Sequence, residues 1–585
     1  MSIRILPSNV ANKIAAGEVI ERPASVVKEL VENSLDAEAG RIEVGLEDGG
    51  ARLIRVVDDG RGIPEEDLPL AFAGHATSKL TSEEDLFDIS TMGFRGEALA
   101  SIGSVSHARI ASRTPDSDSG HEIEMEEGVI GSVRACGAPV GTQVEVRNLF
   151  ANVPVRKKFL KTTATEMAHI TEAVTRLALV RPDIHFALTH KGRKVYNLPP
   201  AESSAQRIGE FFGREIADNL IPVEWENERL RVGGYLLPPD IDRRNTRMQY
   251  TYVNGRYIRN KTLMHAISQA YQGMITSGRR PVCFLFIRLD PGTVDVNVHP
   301  TKLEVRFRSA NEIHQAAVAA MRDALREAKI TPQVALQAAE AGETQQAVRR
   351  AIGDFFASSG TAQRTDEGRA RPRAGGGGTG AQRPEGRPPP QRVQVRFGNC
   401  VQMLDSYLIE ETDEGLNIID QHALHERLLY NEIEERLKEG PLYSQRLLVP
   451  ELVELPRPDF YTVMDLQEDL GRFGMEIEAF GDQTVIVRAF PQILGKFDGK
   501  SFFEDLLSEV EGGEERRNVD GRLERLVRMM ACRAAVKAGQ RLSPEQIKSI
   551  LRKRSEYGPA DTCPHGRPTT ITLSRQKLDR QFRRT

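Results

Sequence analysis

Cysteine is scarce in this sequence, with five residues scattered over 585 positions. Their odd number and wide spacing exclude a disulfide framework and favour a reducing compartment. No apolar run approaches the roughly 20 residues that a membrane-spanning helix needs. Residues 1–4 lead into no apolar segment with a small-residue cleavage site, so the sequence predicts no secretion signal. We therefore expect a cytoplasmic protein.

A strong charge of one sign is also missing. The formal net charge is −4, which argues against a globally basic nucleic-acid binder but leaves local basic patches open. Apolar residues make up 39% and charged residues 28% of the chain, as in an ordinary soluble protein. At 585 residues the chain is too long for one core, and its length predicts three or four domains.

Composition divides the chain into ordered parts and one linker. Residues 333–394 are first rich in Ala, Gln and Glu and then in Gly, Pro and Arg, so they have little to bury and should form a flexible linker. A solvated tether is the plain interpretation of its arginines, and weak tracking along DNA is the alternative. The ordered parts are predicted to be one domain at 1–210, a second at 211–332 and a third at 395–585.

Strands and helices are mixed in each ordered part. Strand-like segments at 249–254 and 282–287 flank a periodic apolar segment at 263–271, which favours an α/β or α+β domain. The last part opens with strand-like segments at 407–410 and 416–419, before a helix-like segment that begins at residue 423. The sequence thus predicts a multidomain α+β protein without internal repeats.

The segment 26–36 reads as a helix with one acidic face. At about 100° per residue, Glu29, Glu32, Asn33 and Asp36 share that face, while the apolar residues fall opposite. Three carboxylates and an amide this close together are unfavourable unless a cation or a reacting water lies among them. The alternative is an ordinary solvated acidic face.

Four loops with polar or glycine-rich sequences accompany this helix. DDGRGI at 58–63 ends a strand, where a lone aspartate can accept from an exocyclic amine and glycines allow a close backbone approach. GHATSK at 74–79 offers hydroxyls and a cation. GFRGEAL at 93–99 is a glycine-rich loop that runs into a helix, where N–H groups can bind phosphates, and a Gly-Thr pair at 141–142 begins a strand.

In this order and spacing, the blocks resemble the GHKL ATPases, a group that includes DNA gyrase B and the histidine kinases. The segments ELVENSLDA, GHATSK, GFRGEALASI and NLFANVPVRKKFLK resemble the MutL family of DNA mismatch-repair proteins in particular. The resemblance covers residues 1 to about 330, including VNGR at 253–256 and DVNVHPTK at 295–302. It implies an N-terminal GHKL ATPase α/β sandwich, a second α/β domain of ribosomal-protein-like fold and a C-terminal α/β dimerisation domain.

The resemblance also implies roles for individual residues. Glu29 resembles the general base that activates water, Asn33 the Mg²⁺ ligand and Asp58 the acceptor of the adenine amine, with ATP as the nucleotide. Lys302 resembles the lysine that reaches from the second domain to the γ-phosphate; by itself it would read as a surface charge. The other nucleotide-binding residues implied are Gly62, Thr77, Ser78, Lys79, Gly93, Phe94, Arg95, Gly96, Leu99 and Thr142. Asp59 stands where many relatives have Asn, a change that we expect to be tolerated.

The family uses slow ATP hydrolysis as a switch. The resemblance implies that ATP orders a lid and brings the N-terminal halves of a homodimer together, while the C-terminal domains stay paired. It also implies double-stranded DNA and a MutS-like mismatch sensor as partners, and therefore association with the nucleoid. Arg256, Arg259 and Lys261 are candidates for phosphate contacts, although plain surface charge explains each equally well.

A second candidate site lies near the C-terminus. His422 and Glu426 are four residues apart on a helix, next to Asp420, and Cys563 and His565 form a short pair of ligands suited to Zn²⁺ or Mn²⁺. An ordinary pair on a helix face is the alternative for the first two. Together with Cys532 in ACR and with the terminal FRR at 582–584, these segments resemble the endonuclease motifs of MutL proteins that nick DNA. Asn431 departs from that pattern, which has glutamate there.

The two functional hypotheses differ in this C-terminal region. Either the protein is an ATP-regulated, metal-dependent endonuclease, or it is a matchmaker that recruits other repair proteins without cutting. A shorter segment, QRLLVP at 445–450, resembles the pattern by which such nucleases bind the sliding clamp, through Gln445, Leu448 and Pro450. A loop that leads into a strand explains this segment equally well.

Overall fold

The computed structural model describes residues 20–74, 76–77, 96–126, 128–276, 278–295, 305–329, 396–397, 399–481, 483–511, 519–557, 561–582 and 584. Those within 1–331 and 429–535 form one compact unit, and those within 332–428 and 536–585 form a second. None of the helices in these ranges is long and apolar enough to cross a membrane. The predicted linker lies outside the described residues, and the predicted domain boundaries stay predictions.

The N-terminal part of the first unit is built on a nine-stranded sheet. Its strands are β1 (Arg41–Glu47), β2 (Leu53–Asp58), β3 (His107–Arg113), β4 (Gly120–Glu126), β5 (Val129–Ile130), β6 (Arg134–Cys136), β7 (Gly141–Arg147), β8 (His185–His190) and β9 (Arg193–Leu198). They lie in the order β5-β4-β3-β7-β2-β1-β8-β9, and β6 pairs with β4. Strand β1 runs parallel to β8 and antiparallel to β2.

Two long helices complete the core of this part, Pro23–Asp36 and Thr163–Val180. The first has a proline in its opening turn, where the missing N–H costs no helical hydrogen bond. Its apolar residues recur every three to four positions and are buried with those of the strands. The shorter helices here are Leu68–Ala71, Ala98–Ser104, Pro154–Phe159, Ser204–Phe212 and Arg214–Ala217.

A five-stranded sheet follows in the order β10-β11-β16-β13-β14. Its strands are β10 (Ile221–Glu226), β11 (Leu230–Leu236), β13 (Gln249–Val253), β14 (Arg256–Tyr257) and β16 (Cys283–Leu289). Two short pairs accompany it: β12 (Asp242–Arg243) with β15 (Arg280–Pro281), and β17 (Val294–Asp295) with β18 (Arg306–Phe307). Helices Lys261–Ala270 and Ala310–Glu327 share a core with the sheet, so the strand-helix-strand prediction for this region is confirmed.

The first unit also contains a three-stranded sheet from later in the chain, in the order β23-β25-β24. These strands are β23 (Ser444–Glu454), β24 (Glu476–Phe480) and β25 (Thr484–Pro491). Their core is shared with four helices, Arg457–Asp465, Gln467–Arg472, Gly499–Glu511 and Val519–Ala534.

The second unit has its own five-stranded sheet in the order β19-β20-β21-β22-β26. Its strands are β19 (Arg396–Phe397), β20 (Cys400–Met403), β21 (Tyr407–Thr412), β22 (Gly415–Asp420) and β26 (Thr570–Ser574). Helix Gln421–Glu439 starts directly after β22, and its residues up to 428 belong to this unit. Helices Pro544–Glu556 and Arg575–Gln581 complete it. The end of β22 thus delivers Asp420 to the start of a helix.

Candidate nucleotide site and metal centre

The predicted acidic face is present on helix Pro23–Asp36. Glu29, Asn33 and Asp36 are half-buried and Glu32 is buried, although apolar residues of the same helix fill the core. Buried or half-buried carboxylates need partners, because desolvation disfavours their charge. The simple solvated-face alternative therefore does not describe this helix.

Lys28 supplies one such partner, and sequence reasoning missed it. Its Nζ lies 3.0 Å from Oε1 of Glu29 and 2.9 Å from Oε1 of Glu32. Burial opposes the charge of Lys28, but attraction by Glu32 and Glu29 outweighs burial and raises the pKa of the ammonium. The ammonium is therefore a fixed positive charge in contact with the residue predicted to be the general base.

Arg256, on β14 of the second sheet, brings another positive charge to the same face. Burial lowers the pKa of its guanidinium, and the charges of Glu32, Asp36 and Glu29 act in the opposite direction. The sequence suggests Arg256, Arg259 and Lys261 as candidates for DNA phosphate contacts. Arg259 and Lys261 are exposed, whereas Arg256 is half-buried and lies within electrostatic reach of the acidic face.

Asp58 lies at the end of β2 and is buried. Its Oδ2 accepts from Ser34 Oγ at 2.7 Å, and its Oδ1 accepts from the N–H groups of Gly60 and Thr142 at 3.0 and 3.2 Å. Burial raises the pKa of the carboxyl, although these three hydrogen bonds act to lower it. A buried carboxylate held by three donors is a rigid acceptor for one further N–H group, as adenine recognition requires.

The strand register explains why Thr142 accompanies Asp58. The two are paired across β2 and β7, and Thr142 is paired with Ser112 across β7 and β3. The Ser112 hydroxyl donates to the carbonyl of Gly141, lies 3.0 Å from Oγ1 of Thr142 and accepts from the N–H of Ile63. Ser34 and Ser112 were not predicted, because a buried serine has no distinctive sequence pattern.

Close backbone contacts near Asp58 require glycine at two positions. Gly141 has φ +113°, and a Cβ there would lie 2.0 Å from the carbonyl oxygen of Asp58. Gly62 has φ +74°, and its Cβ would lie 2.3 Å from the carbonyl oxygen of Arg113. Only glycine tolerates both the conformation and the approach. The turn predicted from the sequence is thus fixed against the neighbouring strands.

The predicted lid is described only in part. Thr77 and Gly96 are described, and Leu99 lies in helix Ala98–Ser104. Gly96 has φ +61°, and a Cβ there would lie 2.4 Å from the carbonyl oxygen of Ala76. The predicted loops at 74–79 and 93–99 are therefore in close backbone contact at these two residues. The remaining predicted residues, Ser78, Lys79, Gly93, Phe94, Arg95 and Lys302, lie outside the described residues.

In the second unit, three predicted metal ligands come together. The ligand atoms of Glu426, Cys563 and His565 lie within 4.8 Å of one another. Oε1 of Glu426 lies 3.0 Å from Nδ1 of His565 and is buried, yet it accepts no hydrogen bond from any described residue. Cys563 is also buried, while His565 is exposed. An orphaned buried oxygen beside a thiol and an imidazole suits a divalent cation with an open coordination position.

Asp420, the last residue of β22, and His422, in the first turn of helix Gln421–Glu439, are not members of this group. Oδ1 of Asp420 accepts from the N–H groups of His422 and Ala423 at 2.9 and 3.0 Å, which caps the helix. Nδ1 of His422 lies 2.8 Å from the carbonyl oxygen of Val536, so we assign the proton to Nδ1 and the lone pair to Nε2. That tautomer is the one that metal-binding histidines commonly adopt when a carbonyl orients them.

The other predicted members of the C-terminal site are placed separately. Cys532 is half-buried in helix Val519–Ala534 and is not in the three-residue group. Asn431 lies five residues after Glu426 in helix Gln421–Glu439 and is half-buried. Gln421, which was not predicted to act, is fully buried, and its amide donates to the carbonyls of Asp405 and Gln540 at 2.8 and 2.9 Å. It fixes the start of the helix between Asp420 and His422.

The segment that resembles a clamp-binding motif protrudes from β23. Arg446 pairs with Ala489 and Glu451 with Val487, so four residues of β23 stand opposite one residue of β25. Gln445, Leu448 and Pro450 are all exposed, and the Leu448 side chain is 104% exposed. The segment therefore lies within β23 and not in a loop that leads into a strand, and clamp binding stays a prediction.

Comparison with known families identifies the class of protein. Residues 20–129 match the histidine kinase-, DNA gyrase B-, and HSP90-like ATPase model, which spans the acidic helix and Asp58. Residues 208–326 match the model of the DNA mismatch repair protein, C-terminal domain, and residues 400–542 match the MutL C terminal dimerisation domain. The fold and the site therefore define a GHKL ATPase domain in a multidomain protein that carries a dimerisation domain. The predicted fold class is confirmed.

Full-length relatives then identify the family. The DNA mismatch repair protein MutL of Chelativorans sp. (strain BNC1) is 40% identical over 630 aligned residues that cover 100% of both chains. MutL of Syntrophus aciditrophicus (strain SB) is 38% identical and covers 100% of this chain and 99% of its own. Among solved structures, the Aquifex aeolicus MutL ATPase domain complexed with ADP is 32% identical, with a TM-score of 0.35, and covers 51% of this chain and 98% of that chain. This chain belongs to the MutL family and acts in DNA mismatch repair.

Proposed function

We propose that this protein is an ATP-switched dimer that nicks DNA through the metal centre of Glu426, Cys563 and His565. The observation that carries the nuclease proposal is the buried Oε1 of Glu426, which lies 3.0 Å from His565 Nδ1 without a hydrogen bond. A matchmaker without nuclease activity has no need for a buried carboxylate, a buried thiol and an imidazole in one place. The geometry therefore favours the enzyme over the non-cutting alternative.

At the N-terminal site, Asp58 would accept the adenine amine, and Thr142 would support that end of the pocket. Asn33 would supply an oxygen to Mg²⁺, which takes few protein ligands besides the phosphates. Glu29 would take a proton from the water that attacks the γ-phosphate. The half-buried carboxylate of Glu29, in contact with Lys28, supports this role. The match of residues 20–129 to the histidine kinase-, DNA gyrase B-, and HSP90-like ATPase model supports nucleotide binding here.

At the C-terminal site, the donor set suits Zn²⁺ and also accommodates Mn²⁺. A bound divalent cation would polarise the phosphodiester and lower the pKa of a coordinated water. The residues of the chain would hold that ion: Glu426 by its buried oxygen, Cys563 by its thiolate and His565 by a ring nitrogen. His422, with its Nε2 lone pair, and Asp420 at the helix start would complete the site as predicted, and Cys532 remains a further predicted ligand.

The proposed partners follow from the repair role. They are double-stranded DNA, a MutS-like mismatch sensor and a second copy of this chain, which the dimerisation domain at 400–542 would hold. The exposed bulge with Gln445, Leu448 and Pro450 would bind the sliding clamp, because an extended segment with apolar anchors fits a groove.

The nuclease proposal is tested with supercoiled plasmid, purified full-length protein and Mn²⁺. Asp420→Asn is the matched variant, because asparagine keeps an oxygen that can cap the helix but removes the charge. We expect the wild type to produce nicked circles and the variant to lose most of this activity. Intact plasmid with the wild type, or equal nicking by the variant, would leave only the matchmaker.

A further inference from the structure

Four arginines of the second sheet region face carboxylates from a distant part of the chain. We call Arg243, Arg244, Arg247 and Arg279 the arginine patch, and Asp459, Glu504 and Asp505 the carboxylate cluster. Both belong to the same compact unit. Arg247 and Asp459 are separated by 212 residues of sequence, so no local pattern relates them.

Each member of the carboxylate cluster has an arginine partner in the arginine patch. Arg247 donates to Oδ1 of Asp459, and Arg244 pairs with Oδ1 of Asp505. Glu504 lies 3.8 Å from Arg243 and 3.7 Å from Arg279. The contact is therefore complementary in charge along its length.

Other polar contacts join the same two parts of the chain, although Tyr461 also packs against apolar residues of both cores. Lys500 and Glu215 form an exposed ion pair at 2.9 Å, and Thr162 donates to Asp465. The guanidinium of Arg457 lies 4.6 Å from the ring centroid of Tyr196. Contacts of this polar kind are typical of reversible interfaces between domains rather than of permanent cores.

We propose that the arginine patch is a site for the DNA backbone. The carboxylate cluster occupies this patch until duplex DNA displaces the cluster. A guanidinium binds the two oxygens of a carboxylate and of a phosphodiester in the same way. The carboxylate cluster therefore offers the arginines the same negative charge that DNA would offer. The proposal rests on the proposed DNA-binding function and adds a location and a regulation to it. A permanent ion-paired interface is the competing interpretation.

The contact can be followed in the unmodified protein by carbodiimide cross-linking. The Glu215 carboxylate is activated, and the Lys500 amine displaces the isourea to form an amide, because the two groups lie 2.9 Å apart and are exposed. Asp48 and Lys191, 2.7 Å apart and exposed in the N-terminal part, provide the control cross-link. Cross-linked peptides are quantified from the monomer-mass band, with and without a 40-base-pair duplex (a probe length of about four helical turns).

We expect duplex DNA to reduce the Glu215–Lys500 cross-link severalfold and to leave the Asp48–Lys191 cross-link unchanged. DNA that binds the protein without changing the first cross-link would overturn the proposal while leaving the DNA-binding function intact. Absence of any DNA binding would overturn both. High salt should also reduce the first cross-link, since the contact is ionic.

Duplex affinity of full-length variants supplies the second test. Asp459→Asn with Glu504→Gln should bind DNA about tenfold more tightly than the wild type, because the patch would no longer be occupied. Glu478→Gln is the matched control, since Glu478 pairs with Arg488 within the later part of the chain. Arg243→Gln with Arg244→Gln should bind more weakly and reduce the salt dependence. Unchanged affinity in the carboxylate variant, with an unchanged melting temperature, would show that the contact does not compete with DNA.

Discussion

The ammonium of Lys28 lies 3.0 Å from the Glu29 carboxylate and 2.9 Å from that of Glu32. It is a positive charge that contacts the proposed general base directly and is only 28% exposed. A neighbouring cation stabilises the ionised carboxylate and makes it a weaker base. Lys28 should therefore set the pH range over which Glu29 can activate water.

Replacing Lys28 with Met should move the acid limb of the ATP turnover profile to higher pH. The reason is that loss of the ammonium favours protonation of Glu29. The measurement is the steady-state rate at saturating Mg²⁺-ATP between pH 5 and 9 (a range set by the general-base requirement).

Glu32→Gln provides the control of opposite sign. It removes a negative charge near Glu29 and leaves Lys28 in place, so the acid limb should move to lower pH. If both variants keep the wild-type profile, Lys28 has no influence on the base and serves only to balance buried charge.

Nucleotide recognition should depend on Asp58 and not on its neighbour. Asp58→Asn should weaken ATP binding at least about tenfold. The carboxylate accepts from three donors, and an asparagine would replace one of its acceptor oxygens with an NH₂ group, which itself donates. Asp59→Asn should bind normally, since Oδ1 of Asp59 accepts from the N–H groups of Gly40 and Arg41 at 2.8 and 2.7 Å, as an amide oxygen also can. Isothermal titration with a non-hydrolysable ATP analogue measures both.

The same carboxylate predicts a pH dependence of nucleotide affinity. Because burial raises the pKa of Asp58, it protonates at a higher pH than an ordinary aspartate and then stops accepting the adenine amine. Affinity should therefore fall as the pH is lowered towards that pKa, and it should not fall in the alkaline direction. An equal loss of affinity by Asp58→Asn and Asp59→Asn would remove Asp58 from adenine recognition.

Metal content tests the C-terminal site independently of nuclease activity. Cys563→Ser should lower Zn²⁺ affinity at least about tenfold, because a thiolate ligand becomes a poorly coordinating hydroxyl. Cys400→Ser is the matched control: Cys400 is buried in the same unit but is not in the three-residue group. Mass spectrometry of protein dialysed against Zn²⁺ measures the stoichiometry. Equal zinc in both variants would show that Cys563 is no ligand.

Clamp binding should require the protruding bulge of β23. Leu448→Ser should abolish binding to the sliding clamp without changing the melting temperature, because Leu448 is fully exposed. Leu452→Ser, on the same strand and 59% exposed, should bind as the wild type does. Surface plasmon resonance on immobilised clamp measures both. If both variants still bind the clamp, the bulge is not the clamp-binding segment.

Local patterns in the sequence predicted the parts of the site that depend on a single element. The helical period placed Glu29 and Asn33 on one face, and the turn after β2 placed Asp58 at a strand end. The structure has both arrangements, because spacing along one helix or turn fixes the direction of a side chain. The catalytic and binding roles of these residues stay predictions. The alternating and periodic segments of the second sheet region were predictable for the same reason.

Contacts between distant segments were not predictable. Lys28 looks like an ordinary surface lysine, and its partial burial depends on how the helix packs. Ser34 and Ser112 act through strand register, and Arg247 meets Asp459 across 212 residues. Such relationships depend on tertiary packing, which a single sequence does not encode in any local pattern. Cys532 and the residues outside the described ranges, Lys302 above all, keep their predicted roles as predictions.

We propose that Glu29 activates the water that hydrolyses ATP. The most direct measurement is ATP turnover by full-length Glu29→Ala, together with its affinity for ATP. Turnover should fall at least about a hundredfold, because a positioned general base contributes that much, while affinity stays within a few-fold of the wild type. Turnover that persists in a variant with normal ATP binding would contradict the account.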